Sequence, residues 1–391
     1  MHNVLILDAN QRSALGAVRS LGRRGLRVIA ADHHLPSLGT VSKHAAGAEQ
    51  YADPTTSPQA FVRDITAIVH RLAIDVVMPM TDTTTMLLVE RPDLVAPARL
   101  ACPSAASYQA LTDKGQLVKL AVELGVPVPR TLVATTAQQI RAAAADIGYP
   151  LVLKPARSRY LRDGRIVATG VRTVRDEAEL LACVDNIPWL DDIPCLVQAF
   201  VGEHGAGVFA VCGTAGPAAW FAHRRIREKP PAGGVSVLSE SAAVDPRLRE
   251  HAAQLLQAAK WFGVAMVEFR VARDGTPYLM EVNGRFWGSL QLAIDSGVDF
   301  PWLLYQLASG AQPDNVSGYV TGRRLRWLLG DLDNLLLQIR DSRKRAGAKL
   351  RALLQFIGSC FDFSGRQEVL RWSDPRPGLL EFRQWLAALR K

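Results

Sequence analysis

The segment from residue 263 to residue 289 constrains the fold most strongly, because it predicts a hairpin whose two faces differ in chemistry. Asp274-Gly275 predicts a two-residue turn, since both central positions of such a turn need positive φ. Alternate residues of a strand share a face. A turn at this dipeptide gives the hairpin one apolar face, formed by Ala265, Val267, Phe269 and Val271 opposite Tyr278, Met280 and Val282. We therefore expect this face to be buried in a core.

The other face of the hairpin carries acidic and amide side chains. The same pairing puts Glu268 directly opposite Glu281, with Asn283 two residues further along the second strand. Opposed residues have Cβ atoms about 4.5–5.5 Å apart, so carboxylates at these positions repel each other. A divalent cation between them removes the repulsion, and Mg²⁺ prefers such oxygen ligands together with phosphates. With Arg285 on the same face, the pattern favours a metal–phosphate site over a solvated pair of glutamates.

Composition restricts the class of protein. The chain has 391 residues, enough for two or three domains, and 48% hydrophobic and 21% charged residues are typical of an ordinary globular protein. No apolar run is long enough to span a bilayer, and the first residues predict a buried strand rather than a signal peptide. The five cysteines have no paired spacing, so neither zinc nor disulfides are expected. We therefore expect a cytoplasmic protein.

The first 105 residues alternate between strand and helix patterns. Strands and helices are predicted in turn, at residues 4–9, 13–24, 26–32, 61–71 and 75–82. This alternation predicts an open parallel sheet with a Rossmann-like layout. The first turn, at residues 8–16, lacks the GxGxxG pattern, so no dinucleotide site is expected. Polar residues at the strand ends could bind substrate, but helix capping by Asn10, Ser13 and Asp82 is the favoured interpretation.

Two segments with notable basic residues follow in the middle of the chain. After a helix predicted from residue 107 to 125, an apolar strand ends in Lys154, and an ammonium placed there needs a fixed anion beside it. A basic strand at residues 223–229 then runs into a Pro/Gly loop at residues 230–236. This pattern is typical of a lid in which Arg224 and Arg227 neutralise an anionic reacting group. A solvated basic strand explains the same pattern equally well.

Three segments together resemble the ATP-grasp superfamily: residues 147–155 (IGYPLVLKP), residues 195–203 (CLVQAFVGE) and the hairpin, whose Glu268 and residues 281–285 (EVNGR) match the superfamily's metal-binding end. The resemblance implies bound ATP and Mg²⁺, with Mn²⁺ as a substitute. It implies a metal site at Glu268, Glu281 and Asn283, phosphate contacts from Lys114 and Lys154, adenine contacts from Gln198, Phe200 and Val201, and a ribose contact from Glu203. Superfamily members usually cover the phosphates with a glycine-rich loop, whereas residues 156–165 contain one glycine and four arginines.

The resemblance also implies an architecture. We expect an α/β chain with the α+β ATP-grasp core, built from antiparallel sheets in two subdomains. The expected parts are a Rossmann-like parallel-sheet domain in residues 1–105, a small subdomain with the phosphate loop in residues 106–195, a large subdomain with the metal site in residues 196–315, and a basic helical extension in residues 316–391.

The implied activity comes from a narrower resemblance. Residues 223–228 (HRRIRE), the PPxGG loop and residues 281–289 (EVNGRFWGS) look like the bacterial carboxylate–amine ligase branch, which is carbamoyl-phosphate-synthase-like. ATP would activate a small carboxylic acid as an acyl phosphate, which an amine then attacks. The implied catalytic residues are Arg285, Lys154, Arg224 and Arg227. The alternatives are a non-catalytic nucleotide-binding scaffold and a bicarbonate-activating or carbamoyl-phosphate-type enzyme.

The positive charge of the chain is concentrated at its end. Residues 321–391 contain fifteen Lys/Arg and seven Asp/Glu, which gives +8 of the total charge of +9. Leucines at helical spacing predict amphipathic helices in this region, with a break at residues 374–377. Packing on the main body or on a second subunit is the first interpretation, and a homodimer is common in the superfamily. Membrane-surface contact ranks second and nucleic-acid binding last, because no nucleic-acid motif is present.

Overall fold

The computed structural model describes residues 2–202, 204–231, 233–362 and 365–389. Its first part is a five-stranded parallel sheet in the order β3-β2-β1-β4-β5. The elements are β1 (Asn3–Ile6), α1 (Arg12–Arg23), β2 (Arg27–Asp32), β3 (Gly47–Gln50), α2 (Pro58–Leu72), β4 (Val76–Met78), α3 (Asp82–Val89), a 3₁₀ turn (Pro92–Val95) and β5 (Arg99–Leu100). The predicted parallel sheet is confirmed. No helix in the described ranges has the length and apolar character that crossing a membrane requires.

The second part is a four-stranded antiparallel sheet in the order β10-β7-β11-β6, beside a separate two-stranded hairpin, β8-β9. The elements are α4 (Ala105–Thr112), α5 (Lys114–Glu123), β6 (Thr131–Ala134), α6 (Ala137–Ile147), β7 (Leu151–Pro155), β8 (Arg159–Arg162), β9 (Arg165–Ala168), β10 (Arg172–Val174), α7 (Glu177–Val184) and β11 (Cys195–Ala199).

The prediction of one helix from residue 107 to 125 is wrong, because Asp113 divides it into α4 and α5. Asp113 has an extended backbone, and its Oδ1 accepts hydrogen bonds from the backbone N–H groups of Gly115 at 3.0 Å and Gln116 at 3.2 Å. An aspartate that caps a new helix satisfies donors that would otherwise be unpaired. The break makes Lys114 the first residue of α5.

The third part is a seven-stranded sheet in the order β16-β15-β12-β13-β14-β17-β18, antiparallel except for the last pair. The elements are β12 (His204–Gly213), β13 (Gly216–Lys229), β14 (Val235–Ala242), α8 (Pro246–Ala258), β15 (Gly263–Val271), β16 (Pro277–Asn283), α9 (Leu290–Ser296), α10 (Phe300–Ala308), β17 (Arg324–Arg326), α11 (Leu328–Arg340), α12 (Ala346–Cys360), β18 (Arg366–Gln367) and α13 (Arg376–Leu389). One hydrophobic core joins this sheet to the parallel sheet through α1, α9 and α10. The adjacent aromatic residues Phe286 and Trp287 belong to it.

The central hairpin confirms part of the predicted register and corrects the rest. Glu268 pairs with Glu281 as expected, but Phe269 pairs with Leu279 because the register shifts at this point and leaves Met280 as a bulge. The turn holds three residues rather than two: the N–H of Ala272 donates to the oxygen of Thr276 at 3.0 Å. Leu279 is therefore the buried residue, whereas Tyr278 and Met280 are half-buried. A bulge inserts one extra residue and moves the following side chains to the other face.

The basic C-terminal region is less purely helical than predicted. β17 pairs with β14 and β18 pairs with β17, so two short strands of this region extend the seven-stranded sheet. A buried ion pair between Arg19 and Asp374, 2.9 Å apart, ties the region to α1. The predicted packing on the main body is confirmed for these elements. The proposed division of the chain into four parts stays a prediction.

Candidate functional site

The two glutamates of the hairpin lie together with an asparagine. Asn283 Nδ2 donates to Glu268 Oε1 at 3.2 Å and to Glu281 Oε1 at 3.4 Å. Burial raises the pKa of the Glu268 carboxyl, and the neighbouring charge of Glu281 raises it further, against the opposing effect of Arg225. Two half-buried carboxylates that repel each other favour a cation beside them.

The donor set of this cluster fits Mg²⁺ held jointly with a phosphate. Within the described ranges, no group of three or more His, Cys, Asp or Glu side chains is placed to hold a metal ion. The two carboxylates, and the Asn283 amide oxygen once the amide turns it from Arg285 towards them, would leave coordination positions to phosphate and water, which is how Mg²⁺ is usually bound beside nucleotides. The structure brings together the residues predicted to hold the ion, Glu268, Glu281 and Asn283, and their role in metal binding stays a prediction.

Two lysines come close to this cluster from the smaller sheet and its helices. Lys154, at the end of β7, is 8% exposed, and its Nζ lies 3.8 Å from Met280 Sδ. Burial lowers the pKa of this ammonium to about 8. Lys114 Nζ donates to Ser158 Oγ at 2.9 Å and lies 3.8 Å from Glu281 Oε2. The hairpin bulge and the break before α5 therefore both help to bring the lysines to the carboxylates.

The arginine-rich segment at residues 156–165 reaches the cleft with only part of its length. Arg157, Ser158 and Arg159 line a cleft together with Lys114 and Glu281. Arg157 Nε donates to Asp113 Oδ2 at 3.0 Å, whereas Arg162 turns away and donates to Asp192 at 3.0 Å. Contact of this segment with phosphate stays a prediction.

The residues predicted for adenine and ribose are only partly brought together. Phe200 and Val201 line a groove together with the hairpin residues Ala272, Arg273 and Tyr278. Gln198 does not line it, because this side chain is buried and its Nε2 donates to Thr131 Oγ1 at 2.8 Å. Glu203, predicted to hold the ribose, lies outside the described residues.

Arg285 connects the hairpin to the parallel sheet. Its Nε donates to Asp82 Oδ2 at 2.9 Å and its Nη2 to Asn283 Oδ1 at 3.4 Å. Asp82 follows β4 at the carboxyl edge of the parallel sheet, where ligands commonly bind. The predicted capping role of Asp82 is wrong, since Thr81 caps α3 by accepting from the N–H of Thr84.

The other two predicted caps are also wrong. The N-cap of α1 is Gln11, which makes no side-chain capping bond. Asn10 Oδ1 instead accepts from the N–H of Leu38 at 3.2 Å. Ser13 lies inside α1 and is buried. The sequence marks polar residues at the strand end but does not show which neighbours they meet.

The structure does not bring the two predicted lid arginines to the carboxylates. Arg224 pairs with Glu240 at 2.6 Å and is largely exposed, while Arg227 pairs with Asp331 of α11 at 2.6 Å. Arg225, which the sequence analysis missed, donates to Glu268 Oε2 at 3.0 Å. Adjacent strand residues point to opposite faces, so a basic run does not by itself tell which arginine faces the site. Roles for Arg224 and Arg227 in the reaction stay predictions.

A second cleft shares Glu281 and Asn283 with the first and is also lined by Arg12, Trp287, Gly288 and Ser289. Arg12 lies 4.0 Å from the ring centre of Trp327 and pairs with Glu368, so the C-terminal region holds its guanidinium in place. A Cβ at Gly288 would come within 2.8 Å of Arg12 Nη2. The buried Trp287 Nε1 has no hydrogen-bond partner among the described residues.

A buried histidine also lines the second cleft. His223 Nδ1 lies 3.1 Å from Ser289 Oγ, and burial lowers the pKa of the imidazole to about 3. The imidazole is therefore neutral at physiological pH. The imidazole therefore gives the second cleft a polar but uncharged group in its lining.

The chain is similar in sequence to several known proteins. Residues 211–329 match the family described as ATP-grasp in the biosynthetic pathway with Ter operon. The uncharacterized protein y4rH of Sinorhizobium fredii is 31% identical over 264 residues, which is 63% of this chain and 52% of that protein. The carbamoyl phosphate synthase large chain of Deinococcus radiodurans is 27% identical over 241 residues, which is 58% of this chain and 22% of that protein. The chain thus spans about half the length of the first relative and about a fifth of the second.

Solved structures show the same fold at low identity. A biotin carboxylase–beta-gamma-ATP complex from Campylobacter jejuni has a TM-score of 0.65 and 17% identity, with 82% of this chain and 74% of that chain covered. An L-amino acid ligase from Bacillus licheniformis has a TM-score of 0.60 and 16% identity, with 81% and 75% covered. The mixed α/β architecture, the hairpin motif and these matches lead to one conclusion: residues 211–329 match an ATP-grasp family, and the chain has the ATP-grasp fold.

Proposed function

We propose that the protein is an ADP-forming ligase that activates a carboxylic acid as an acyl phosphate and couples it to an amine. The observation that carries this proposal is the convergence, at one pair of opposed glutamates, of two lysines from one side and two arginines from the other. Lys114 lies 3.8 Å from Glu281, and Arg225 lies 3.0 Å from Glu268. Phosphoryl transfer needs this combination, because its catalysis consists mainly of positioning and charge stabilisation.

Each part of the site has a role in the first step. Mg²⁺, when bound, offsets the charge of the phosphates that meet there. Glu268, Glu281 and Asn283 would hold that ion, and the ammonium groups of Lys114 and Lys154 would bind the remaining phosphate oxygens. The groove beside Phe200 and Val201 is the proposed adenine site, to which Glu203 and Gln198 would contribute as the resemblance implies. The acid carboxylate then attacks the terminal phosphorus, and ADP leaves.

The second step, like the first, involves Arg285. The amine attacks the carbonyl carbon of the acyl phosphate, and phosphate leaves as the carbon–nitrogen bond forms. Arg285, whose Nε donates to Asp82, would stabilise the transferring phosphoryl group and then the oxyanion. The step needs no covalent nucleophile from the protein. Exclusion of water matters instead, because an acyl phosphate hydrolyses readily, and the loop after β13 is the proposed cover.

The test of the proposed function is ADP release measured against a panel of amino acids and other small carboxylic acids. We expect release that depends on one acid, requires Mg²⁺ and increases when a suitable amine is present. Omission of the acid and addition of a metal chelator are the controls. ATP binding without acid-dependent release on any member of a broad panel would contradict the ligase and support the non-catalytic alternative.

The buried lysine predicts a pH dependence of nucleotide use. The protonated ammonium of Lys154 is the form that binds phosphate, and its fraction in the free enzyme falls as the pH rises through the pKa of about 8. Because kcat/KM reports ionisations of the free enzyme, we expect kcat/KM for Mg-ATP to decrease above that pH. The change Lys154→Met should lower kcat/KM and remove this inflection, whereas Lys119→Met on the exposed face of α5 should keep it. An unchanged inflection in Lys154→Met would contradict this assignment.

The position of Arg12 indicates that the acid binds in the second cleft. Its guanidinium lies beside Gly288 in the second cleft, near an unpaired indole N–H, and both groups suit an anionic or carbonyl acceptor. We expect Arg12→Met to raise KM for the acid about 10- to 100-fold, the value of a charge-assisted hydrogen bond. KM for Mg-ATP should stay the same. A rise in KM for Mg-ATP instead, with the acid unaffected, would place Arg12 at the nucleotide.

A further inference from the structure

Helix α12 presents an apolar face to solvent. The side of the helix that contacts the protein includes Ala352, Phe356 and Ser359, of which only Ala352 is buried. The opposite side carries five large apolar residues between 37% and 69% exposed, here called the apolar stripe: Leu350, Leu353, Leu354, Ile357 and Phe361. Their spacing of three and four residues puts them on one side of a helix. The predicted packing of apolar helix faces on the main body therefore fails for α12.

Basic residues surround the apolar stripe. Residues 340–361 contain six Lys/Arg and one Asp. At about 100° per residue, Lys349 lies on one flank of the stripe and Arg351 on the other. Three consecutive basic residues, Arg343, Lys344 and Arg345, precede the helix. An apolar surface bordered on both sides and at one end by cations is the arrangement of helices that lie in the interface of a membrane.

We propose that α12 is a docking surface for an anionic lipid membrane, on which the helix lies in the membrane plane. The apolar stripe would enter the boundary between head groups and acyl chains. Lys349 and Arg351 would extend their stems along the stripe and keep their charges among the head groups. The residues 343–345 would add attraction to the negative surface, at about 1 kcal/mol for each basic residue near it.

Charge complementarity favours a lipid surface over a second copy of the chain. A parallel pair of α12 helices would bring the two basic ends together. An antiparallel pair would place each basic end beside the second half of the partner's helix, where the first acidic residue, Asp362, already pairs with Arg324 at 3.0 Å. Neither arrangement offers the cations a countercharge, whereas anionic head groups supply one for each. The apolar stripe is also the outer face of a single helix, so a broad lipid surface can contact its whole length.

Vesicle flotation with the full-length protein tests the proposal. We expect binding to phosphatidylcholine vesicles that contain phosphatidylserine and little binding without it. Binding should weaken when salt rises from about 0.1 M to about 1 M, because the Debye length falls from about 10 Å to about 3 Å. The change Leu353→Gln together with Leu354→Gln should lower the partition coefficient by about tenfold or more, since each leucine loses apolar burial. Leu181→Gln, at an exposed leucine of α7, is the matched control and should have no effect.

Light scattering on the same samples separates the rival explanations. Absence of binding to anionic vesicles would overturn the proposal. A soluble dimer that becomes a monomer in the leucine variant, without vesicle binding, would assign the apolar stripe to a second copy of the chain. The variants replace exposed residues, so we expect their folding to be unchanged. Circular dichroism verifies this. Acid-dependent ADP release in solution should be unchanged in them, which keeps this test independent of the proposed ligase reaction.

Discussion

The change Glu281→Gln is expected to reduce acid-dependent ADP release about 10²- to 10³-fold, the range found when one preorganised charge-stabilising group is removed from an active site. Glutamine keeps the shape of the side chain but removes one of the two opposed carboxylates. It also takes away the negative charge that lies 3.8 Å from Lys114. The remaining carboxylate and the amide would hold Mg²⁺ more weakly, so the activity that remains should need more Mg²⁺. Single-turnover ADP release at several Mg²⁺ concentrations measures both effects.

The matched control for this change is Glu250→Gln. Glu250 is exposed on α8. We expect wild-type rates and an unchanged Mg²⁺ requirement for this variant. Full activity of Glu281→Gln would show that the opposed glutamates do not serve the reaction. A rise in KM for Mg-ATP with kcat intact would assign Glu281 to binding of the nucleotide in its ground state alone.

The change Arg19→Met is expected to destabilise the protein by about 3–5 kcal/mol, the cost of leaving a buried charge without its partner. Arg19 is 2% exposed. Its guanidinium donates to Asp374 Oδ2 at 2.9 Å and to the backbone oxygens of Glu368 at 2.9 Å and Val369 at 2.8 Å. These bonds attach the C-terminal region to α1, and through Glu368 they support Arg12. The loss should therefore appear in the free energy of unfolding and also in KM for the acid.

Urea unfolding followed by fluorescence measures this effect, with Arg63→Met as the control. Arg63 is exposed on α2, and its replacement should change the stability little. Adding Asp374→Asn to Arg19→Met should recover part of the loss, because the unpaired buried carboxylate is then removed. A destabilisation of Arg19→Met no larger than that of Arg63→Met would show that the pair does not hold the two regions together.

Local patterns in the sequence predicted much of the fold and the centre of the site. Alternating strands and helices predicted the parallel sheet, and the period of two in residues 265–271 predicted a buried hairpin face. The pairing of Glu268 with Glu281 followed from the same period and the position of the turn. Such features depend on residues a few positions apart, so they can be found without tertiary information. The predicted length of the turn was wrong. The turn has three residues instead of two, and the bulge at Met280 restores the pairing of Glu268 with Glu281.

The partners of the site residues depended on contacts between distant parts of the chain. Arg285 meets Asp82 across 203 positions of sequence, and Arg12 meets Glu368 across 356. No periodicity links such pairs, since they come together only when the sheets pack on a shared core. The choice of Arg225 over Arg224 depended on which face of β13 lies towards the hairpin. The sequence by itself therefore determined the strands, the opposed glutamates and the basic character of the chain end. The tertiary structure alone decided which charges neutralise each other, because ion pairing requires closeness in space and that closeness is set by packing.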